Sequence, residues 1–264
     1  MATLSIGKAW EESTAFVRRE SALLFPVALL FVALPGLIFQ EMVPPELTQW
    51  MASQPKTTPP PVGAAFWVAF AVMVVVVWFG SLTLFALALR PGISVGEALR
   101  LSVARLPVLL GTALALLGLF LAAALILGVF VALLGFLSKG AAALVGSLAV
   151  AIAGGVMIFA AVRLLLLNPV VIDGVEGVFA AIRHAWSLTR GHFWRLLAFL
   201  LLLTLLSLVA STAAQAVVGT LIGFFTGPEG ARLGGGIAGA LVSTAIQVYM
   251  LVMIARLYRQ AEGG

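Results

Sequence analysis

Long hydrophobic stretches without charge alternate along this chain with short segments that hold nearly all of its charged residues. Six such stretches contain no Asp, Glu, Lys or Arg: residues 21–40, 57–89, 106–138, 140–162, 196–228 and 233–255. An α-helix crosses a hydrocarbon core of about 30 Å with roughly 20 residues, so each stretch suffices for one crossing. None shows the alternating pattern of a membrane β-strand. The sequence therefore predicts an all-α, polytopic membrane helical bundle with six transmembrane helices.

Composition supports the same class. Hydrophobic residues make up 62% of the 264 residues and charged residues only 9%, and the mean hydropathy is +1.18. An ordinary soluble domain carries about 25% charged residues, enough to cover its surface. So few charges exclude a water-soluble globule of this size.

The basic residues are distributed unequally between the two predicted faces of the bundle. Twelve of the 15 Lys and Arg residues lie on the face that both termini share, and the other face holds Lys56, Lys139 and Arg232. Because Lys and Arg are retained on the cytoplasmic side during insertion, we expect a bacterial inner (plasma) membrane protein with both termini cytoplasmic. This topology and anionic lipid headgroups explain the net charge of +5 without nucleic acid.

An amphipathic segment precedes the first, third and fifth predicted spans, at residues 6–19, 94–105 and 173–191. In each segment apolar residues share one helical face and charged residues lie mostly off it, which is typical of a helix in the membrane interface. We interpret the single membrane domain, residues 1–264, as three pseudo-repeats of one interfacial helix and two spans. The units are about 3–92, 93–172 and 173–260, related by a rough threefold axis along the membrane normal.

Several residues predict where these helices begin and end. Ser94 with Glu97 has the spacing of a capping box, and Asp173 with Glu176 has a variant of it. Asn168 and Pro169 are predicted to end the fourth span, because proline disfavours helical geometry in the residue before it. Gly191 suits a left-handed helix end. Together Asn168, Pro169, Asp173 and Gly191 predict a structural elbow around the third interfacial helix.

The residues that carry catalysis are scarce. The chain has no cysteine, its only histidines are His184 and His192, and its only aspartate is Asp173. Metalloprotease, nucleophile-elbow and nucleotide-binding motifs are absent from the sequence. Two histidines without a carboxylate cluster are too few for a metal site. The sequence therefore predicts a protein that is not an enzyme and binds no metal or cofactor.

A few polar residues fall at membrane depth, where desolvation makes them expensive. Gln215 and Gln247 lie inside the fifth and sixth spans, and hydroxyl side chains accompany them: Ser211, Thr212, Ser243 and Thr244. One interpretation is that these groups hydrogen-bond across a helix interface. The other is that they form the polar wall of a cavity for a lipid or another solute.

Two functions remain open at this point. The first is a non-enzymatic protein that binds anionic lipid or a membrane partner and organises the bilayer through the arginines of its interfacial helices: Arg100, Arg105, Arg183, Arg190 and Arg195. Its partners are membrane lipids and either another membrane protein or further copies of the chain. The alternative is transport of a lipid or small amphiphile through a cavity between the repeats, lined by Gln215 and Gln247.

The segment 167–203 carries a recognisable order of residues. A proline follows a span, then come an acidic residue with glycine, Ala-Trp-Ser-Leu-Thr at 185–189 and Arg-Gly-His-Phe-Trp-Arg at 190–195. In this order the chain resembles bacterial membrane proteins related to the membrane domain of glycerophosphoryl diester phosphodiesterase. Such an enzyme also needs a catalytic barrel of roughly 250 residues. The resemblance therefore implies a membrane module without the catalytic domain.

Overall fold

The computed structural model describes residues 5–53, 58, 60–174 and 177–263, and this part of the chain is helical without any β-strand. The α-helices, in chain order, are α1 (Ile6–Ala28), α2 (Leu34–Met42), α3 (Pro45–Ala52), α4 (Ala64–Leu89), α5 (Val95–Leu137), α6 (Lys139–Arg163), α7 (Leu167–Asp173), α8 (Val178–Leu188) and α9 (Phe193–Glu262). A π-helical turn, Leu29–Ala33, joins α1 to α2.

Five helical segments of the described chain are long and apolar enough to cross a membrane: Ile6–Met42, Ala64–Leu89, Val95–Phe136, Lys139–Asp173 and Phe193–Glu262. The described chain is therefore all-helical, as predicted, and contains helices that could cross a membrane. There are five candidate spans but six charge-free stretches, because the fifth and sixth stretches both lie within α9, a helix of 70 residues.

Helix α9 is not straight, because it folds back on itself at Gly227. This residue has φ 77° and ψ −170°, which is not helical, and Pro228 follows it. We call residues 193–226 the first arm of α9 and residues 228–262 its second arm. Gly219 on the first arm lies directly against Gly235 on the second, and a Cβ atom on Gly235 would be 3.3 Å from the Gly219 Cα. The arms therefore pack against each other as an antiparallel pair.

Ser5 and Gln260, near the two ends of the described chain, lie at the same end of the bundle. The backbone N–H of Ser5 donates a hydrogen bond to Oε1 of Gln260 at 2.9 Å. One helical turn further along α1, the Trp10 ring stacks on Tyr249 with their centroids 6.1 Å apart. We call this region the terminal end.

The buried core lies towards the terminal end. Its largest fully buried side chains include Phe85 of α4, Ile172 of α7 and Tyr258 of α9. Away from this end, the hairpin of α5 and α6 exposes large apolar side chains, with Phe136 89% and Leu144 74% exposed. Apolar surface of this extent suits lipid as the solvent, because lipid imposes no penalty on exposed hydrocarbon.

The three predicted interfacial segments fold in three different ways. Residues 6–19 form the start of α1, whose helical geometry breaks at Glu20, with φ −103° and ψ 15°. Residues 94–105 are not a separate helix, because α5 continues through them and through Pro107 for 43 residues. Only the third segment yields a short helix of its own, α8. The difference follows from the chain breaks: Gly191, with φ 87°, separates α8 from α9, and α5 contains no comparable residue.

The predicted end of the fourth span is displaced. Helix α6 ends at Arg163, five residues before Asn168. Asn168 and Pro169 instead occupy the first turn of α7, where proline is tolerated because the first N–H groups of a helix have no partner within it. The break is stabilised by packing, since Val162 and Leu166 on either side of it are fully buried. The elbow therefore exists, but Asn168 and Pro169 do not begin it.

The predicted cap on the third interfacial helix is wrong. Asp173 is the last residue of α7, and α8 follows Gly177 without a side-chain capping bond. Glu176, the other member of the predicted cap, lies outside the described residues. The Asp173 carboxylate instead accepts a hydrogen bond from the Tyr258 hydroxyl at 2.8 Å. Asp173 thereby connects the elbow to the second arm of α9.

The predicted capping box at the start of α5 is confirmed. The Ser94 hydroxyl oxygen accepts a hydrogen bond from the backbone N–H of Glu97 at 3.2 Å. In return the Glu97 carboxylate accepts a hydrogen bond from the Ser94 N–H at 2.8 Å. Both interactions satisfy donors that the helix itself leaves unpaired.

We expect Ser94→Ala to lower the free energy of unfolding by about 1 kcal/mol, because the substitution removes the cap from α5. Ser147→Ala is the matched control, since the Ser147 hydroxyl bonds only to the Leu144 carbonyl of its own helix. The control is expected to change stability by less than about 0.5 kcal/mol. Denaturant titration of both variants in detergent micelles measures their free energies of unfolding. An equal loss of stability in the two variants would contradict the role of the cap.

Candidate functional site

A cavity of about 330 Å³ lies between α2, the π-helical turn and the two arms of α9. We call it the polar recess. Its lining includes six polar side chains: Gln40, Ser211, Gln215, Ser243, Thr244 and Gln247. Both glutamines predicted from the sequence, Gln215 and Gln247, therefore contribute to one cavity.

The polar side chains of the recess do not hold the helices together through hydrogen bonds. The Ser211 hydroxyl donates to the Leu208 carbonyl of its own arm, and the Ser243 hydroxyl donates to the Ala240 carbonyl of its own arm. Within the described chain, the side-chain amides of Gln215 and Gln247 have no hydrogen-bond partner. The geometry therefore favours the cavity-wall interpretation over the interhelical one.

The recess lies between two arginines of the second arm of α9. On the second arm of α9, Gln247 follows Arg232 by 15 residues and precedes Arg256 by nine. At 1.5 Å per residue, these separations are about 22 Å and about 14 Å. If Arg232 and Arg256 lie at the two interfaces of a membrane that this arm crosses, Gln247 lies near the middle of the bilayer. Polar groups at this depth are rare and mark functional sites by default.

A second candidate surface lies at the terminal end. Contacts join its elements: the Thr189 hydroxyl after α8 donates to the Arg163 carbonyl at 2.9 Å, and the imidazole of His184 on α8 is 2.8 Å from the Glu262 carboxylate. The guanidinium of Arg163 lies over the rings of Phe159 and Trp186, 5.2 and 5.3 Å from their centroids. Helix α8, the end of α6 and the C-terminal turn therefore form one surface.

The five predicted arginines lie on the elements around this surface. Arg183 and Arg190 lie on and just after α8, and Arg195 lies in the first turn of α9. Arg105 of α5 lies against Gly174, immediately after α7. Among the described residues, none of Arg100, Arg105, Arg183, Arg190 and Arg195 forms an ion pair. We call these five residues, none of which is in direct contact with a carboxylate of the described chain, the arginine cluster.

The structure adds two groups that the sequence analysis did not select. Gln40, the last residue of the first charge-free stretch, joins the lining of the polar recess. Its neighbour Glu41 accepts two hydrogen bonds from the Arg232 guanidinium, both at 2.9 Å. This ion pair connects α2 to the second arm of α9, one helical turn from Gly236 in the recess. The position of Gln40 at the edge of a charge-free stretch was the available signal.

Comparisons with protein-family models, with curated proteins and with solved structures find no match to this chain.

Proposed function

We propose that the chain crosses a bacterial inner membrane six times, with both termini in the cytoplasm. The antiparallel arms of α9 support two crossings by this helix. The contact between Ser5 and Gln260 supports an even number of crossings. The excess of basic residues on the face with the termini supports its cytoplasmic location. The proposal also includes three pseudo-repeats of two crossings each, whose interfacial segments fold differently. It further includes a relation to the membrane module of the phosphodiesterase.

In this membrane the protein binds anionic lipid, or a membrane partner with anionic groups, through the arginine cluster, and so organises the bilayer or its proteins without catalysis. The supporting observation is that the five guanidinium groups lack an ion-pair partner among the described residues. A basic side chain near an anionic surface contributes about 1 kcal/mol to binding. Five of them on adjoining elements are enough to select anionic lipid from a mixed membrane.

Replacing all five residues of the arginine cluster with glutamine is expected to reduce the amount of bound phosphatidylglycerol by at least roughly tenfold, because about 1 kcal/mol is lost per arginine. Native mass spectrometry after extraction from nanodiscs of phosphatidylglycerol and phosphatidylcholine measures the bound lipid. The matched variant carries lysine at the same five positions, keeps the charge and should retain the lipid.

A Lys139→Gln variant controls for the loss of a basic residue away from the arginine cluster, because Lys139 is predicted on the face opposite the termini and forms no ion pair with the described residues. It is expected to bind phosphatidylglycerol as the unmodified protein does. If the glutamine variant of the arginine cluster retains as much phosphatidylglycerol as the unmodified protein, lipid binding by these arginines is refuted.

The polar recess favours a second function, the passage of a lipid or small amphiphile along the bundle. A neighbouring cavity of about 330 Å³ includes Thr204 and Ser207 in its lining and shares Ser211, Ser243 and Gln247 with the recess. Polar positions thus continue along α9 towards the terminal end. Uptake of a labelled amphiphile by proteoliposomes tests this function, and an uptake rate equal to that of protein-free vesicles would contradict it.

A further inference from the structure

The polar recess has an apolar neighbour with which it shares part of its wall. This second cavity, of about 380 Å³, is lined by Pro26, Leu29, Leu30, Ala33, Leu34, Leu37, Ile237, Ala240 and Leu241. We call it the apolar recess. Ala33, Leu37 and Ala240 line both cavities. The two recesses therefore adjoin across the π-helical turn and α2, one offering hydrogen-bonding groups and the other only hydrocarbon.

The polar recess selects against charge. None of its lining residues is ionisable, and the Glu41–Arg232 pair one turn away is an ion pair whose charges offset each other. A charged headgroup here would lack a counter-charge at a depth where an ionised group is expensive. Neutral hydroxyl or amide groups suit the site, because each glutamine amide supplies both donors and an acceptor.

The two glutamines of the polar recess are accessible to an occupant, because Gln215 is exposed and Gln247 is half-buried. Two amide side chains at this depth, Gln215 and Gln247, lack hydrogen bonds within the described chain. An unsatisfied polar group in hydrocarbon is unfavourable by several kcal/mol unless a ligand, a lipid headgroup or water supplies the partner. The adjoining apolar recess favours a lipid among these partners. Water or a free polar solute makes no favourable contact with its hydrocarbon wall, whereas an acyl chain fills it.

From this arrangement we infer that the protein binds one neutral amphiphile of the monoacylglycerol type, with its hydroxyl headgroup between Gln215 and Gln247 and its acyl chain in the apolar recess. The inference uses the cavity of the second proposed function and names its ligand class. It requires binding only, so it stands or falls independently of passage across the membrane and of lipid binding at the arginine cluster.

A photoreactive monoacylglycerol with a diazirine in its acyl chain tests the site in phosphatidylcholine nanodiscs. After irradiation, mass spectrometry of peptides is expected to locate the label at residues 26–37 or 237–241. Gln215→Leu combined with Gln247→Leu is expected to reduce labelling roughly tenfold, equivalent to about 1.4 kcal/mol. The matched control is Thr212→Val, since Thr212 lies outside the recess and its hydroxyl bonds to the Leu208 carbonyl of its own arm.

A second variant fills the recess without removing its polar groups. A Cβ atom on Gly236, which lines the polar recess, would meet nothing within 4 Å. Gly236→Leu should therefore fold, place its side chain in the cavity and reduce labelling as the double glutamine variant does. Helix content and elution as a single species confirm that each variant is folded before it is compared.

Competition by unlabelled lipids tests which headgroup the site prefers. Unlabelled monoacylglycerol should abolish labelling, whereas lysophosphatidylglycerol, which has a similar chain and a charged headgroup, should compete at least roughly tenfold less well. Equal competition, labels elsewhere on the chain, or unchanged labelling in both variants would overturn the inference. So would a dimer in native mass spectrometry whose second copy protects these residues from the label. Labelling without uptake by proteoliposomes would retain the binding site and reject only transport.

Discussion

Gly235→Leu is expected to drive the two arms of α9 apart and to lower the free energy of unfolding by about 3 kcal/mol or more. A Cβ atom at this position would be 2.8 Å from the backbone carbonyl oxygen of Gln215 on the facing arm. Backbone cannot move aside as a flexible side chain can, so the arms must separate and lose their packing along the contact. Reversible unfolding in bicelles measures the cost.

The matched control is the next residue in the sequence. Gly236→Leu adds the same side chain, but a Cβ atom there would meet nothing within 4 Å. It is expected to be neutral or to stabilise the helix by up to about 1 kcal/mol, because leucine has the higher helix propensity. Equal effects of the two substitutions would mean that the arms of α9 do not approach each other at Gly235.

Gly227→Ala is expected to destabilise the fold by about 1–3 kcal/mol for a different reason. A Cβ atom on Gly227 would touch no neighbour within 4 Å, so no clash is involved. The cost comes from the backbone, since φ 77° with ψ −170° is a conformation that glycine alone adopts readily. An alanine there strains the turn that reverses the direction of α9.

Gly154→Ala provides the comparison for this substitution. Gly154 lies inside α6, in open surroundings and without a positive φ. Alanine is expected to stabilise that helix by up to about 1 kcal/mol. The same unfolding measurement in bicelles serves for both variants. A Gly227→Ala variant as stable as the unmodified protein would show that the chain does not turn at this residue.

The sequence predicts the helical membrane class well, because the solvent dictates it. Charge-free stretches of 20 or more residues leave the backbone no partners except its own carbonyl groups, so helices follow. Local signals were equally reliable where the chemistry is local. Ser94 and Glu97 form the predicted capping box, and Gly191 adopts the predicted left-handed conformation.

The sequence predicts the ends of helices and the partners of side chains less well where tertiary packing determines them. The chain breaks after Arg163 and not at Asn168 and Pro169, because burial of Leu166 and its neighbours stabilises a turn that no local residue specifies. Asp173 was predicted to cap a helix, but it accepts a hydrogen bond from Tyr258, which lies 85 residues away in the chain. No local pattern contains information of this kind.

The candidate site likewise has one part that the sequence predicts and another that depends on packing. Gln215 and Gln247 could be predicted from the sequence, because burying a glutamine side chain in hydrocarbon is costly whatever its neighbours are. Gln40 and the apolar recess were missed, because they depend on the packing of α2 and the π-helical turn against α9. A π-helical turn has no clear sequence signature, although such turns occur frequently at functional sites.

Six crossings with both termini in the cytoplasm are tested most directly by labelling single cysteines with a membrane-impermeant maleimide. The chain has no cysteine of its own, so Thr14→Cys, Glu229→Cys and Glu262→Cys each carry one reactive thiol. In intact cells, Glu229→Cys should react while Thr14→Cys and Glu262→Cys react only after the membrane is opened. Reaction of Glu262→Cys from outside, or the same accessibility at Glu229→Cys and Glu262→Cys, would contradict six crossings.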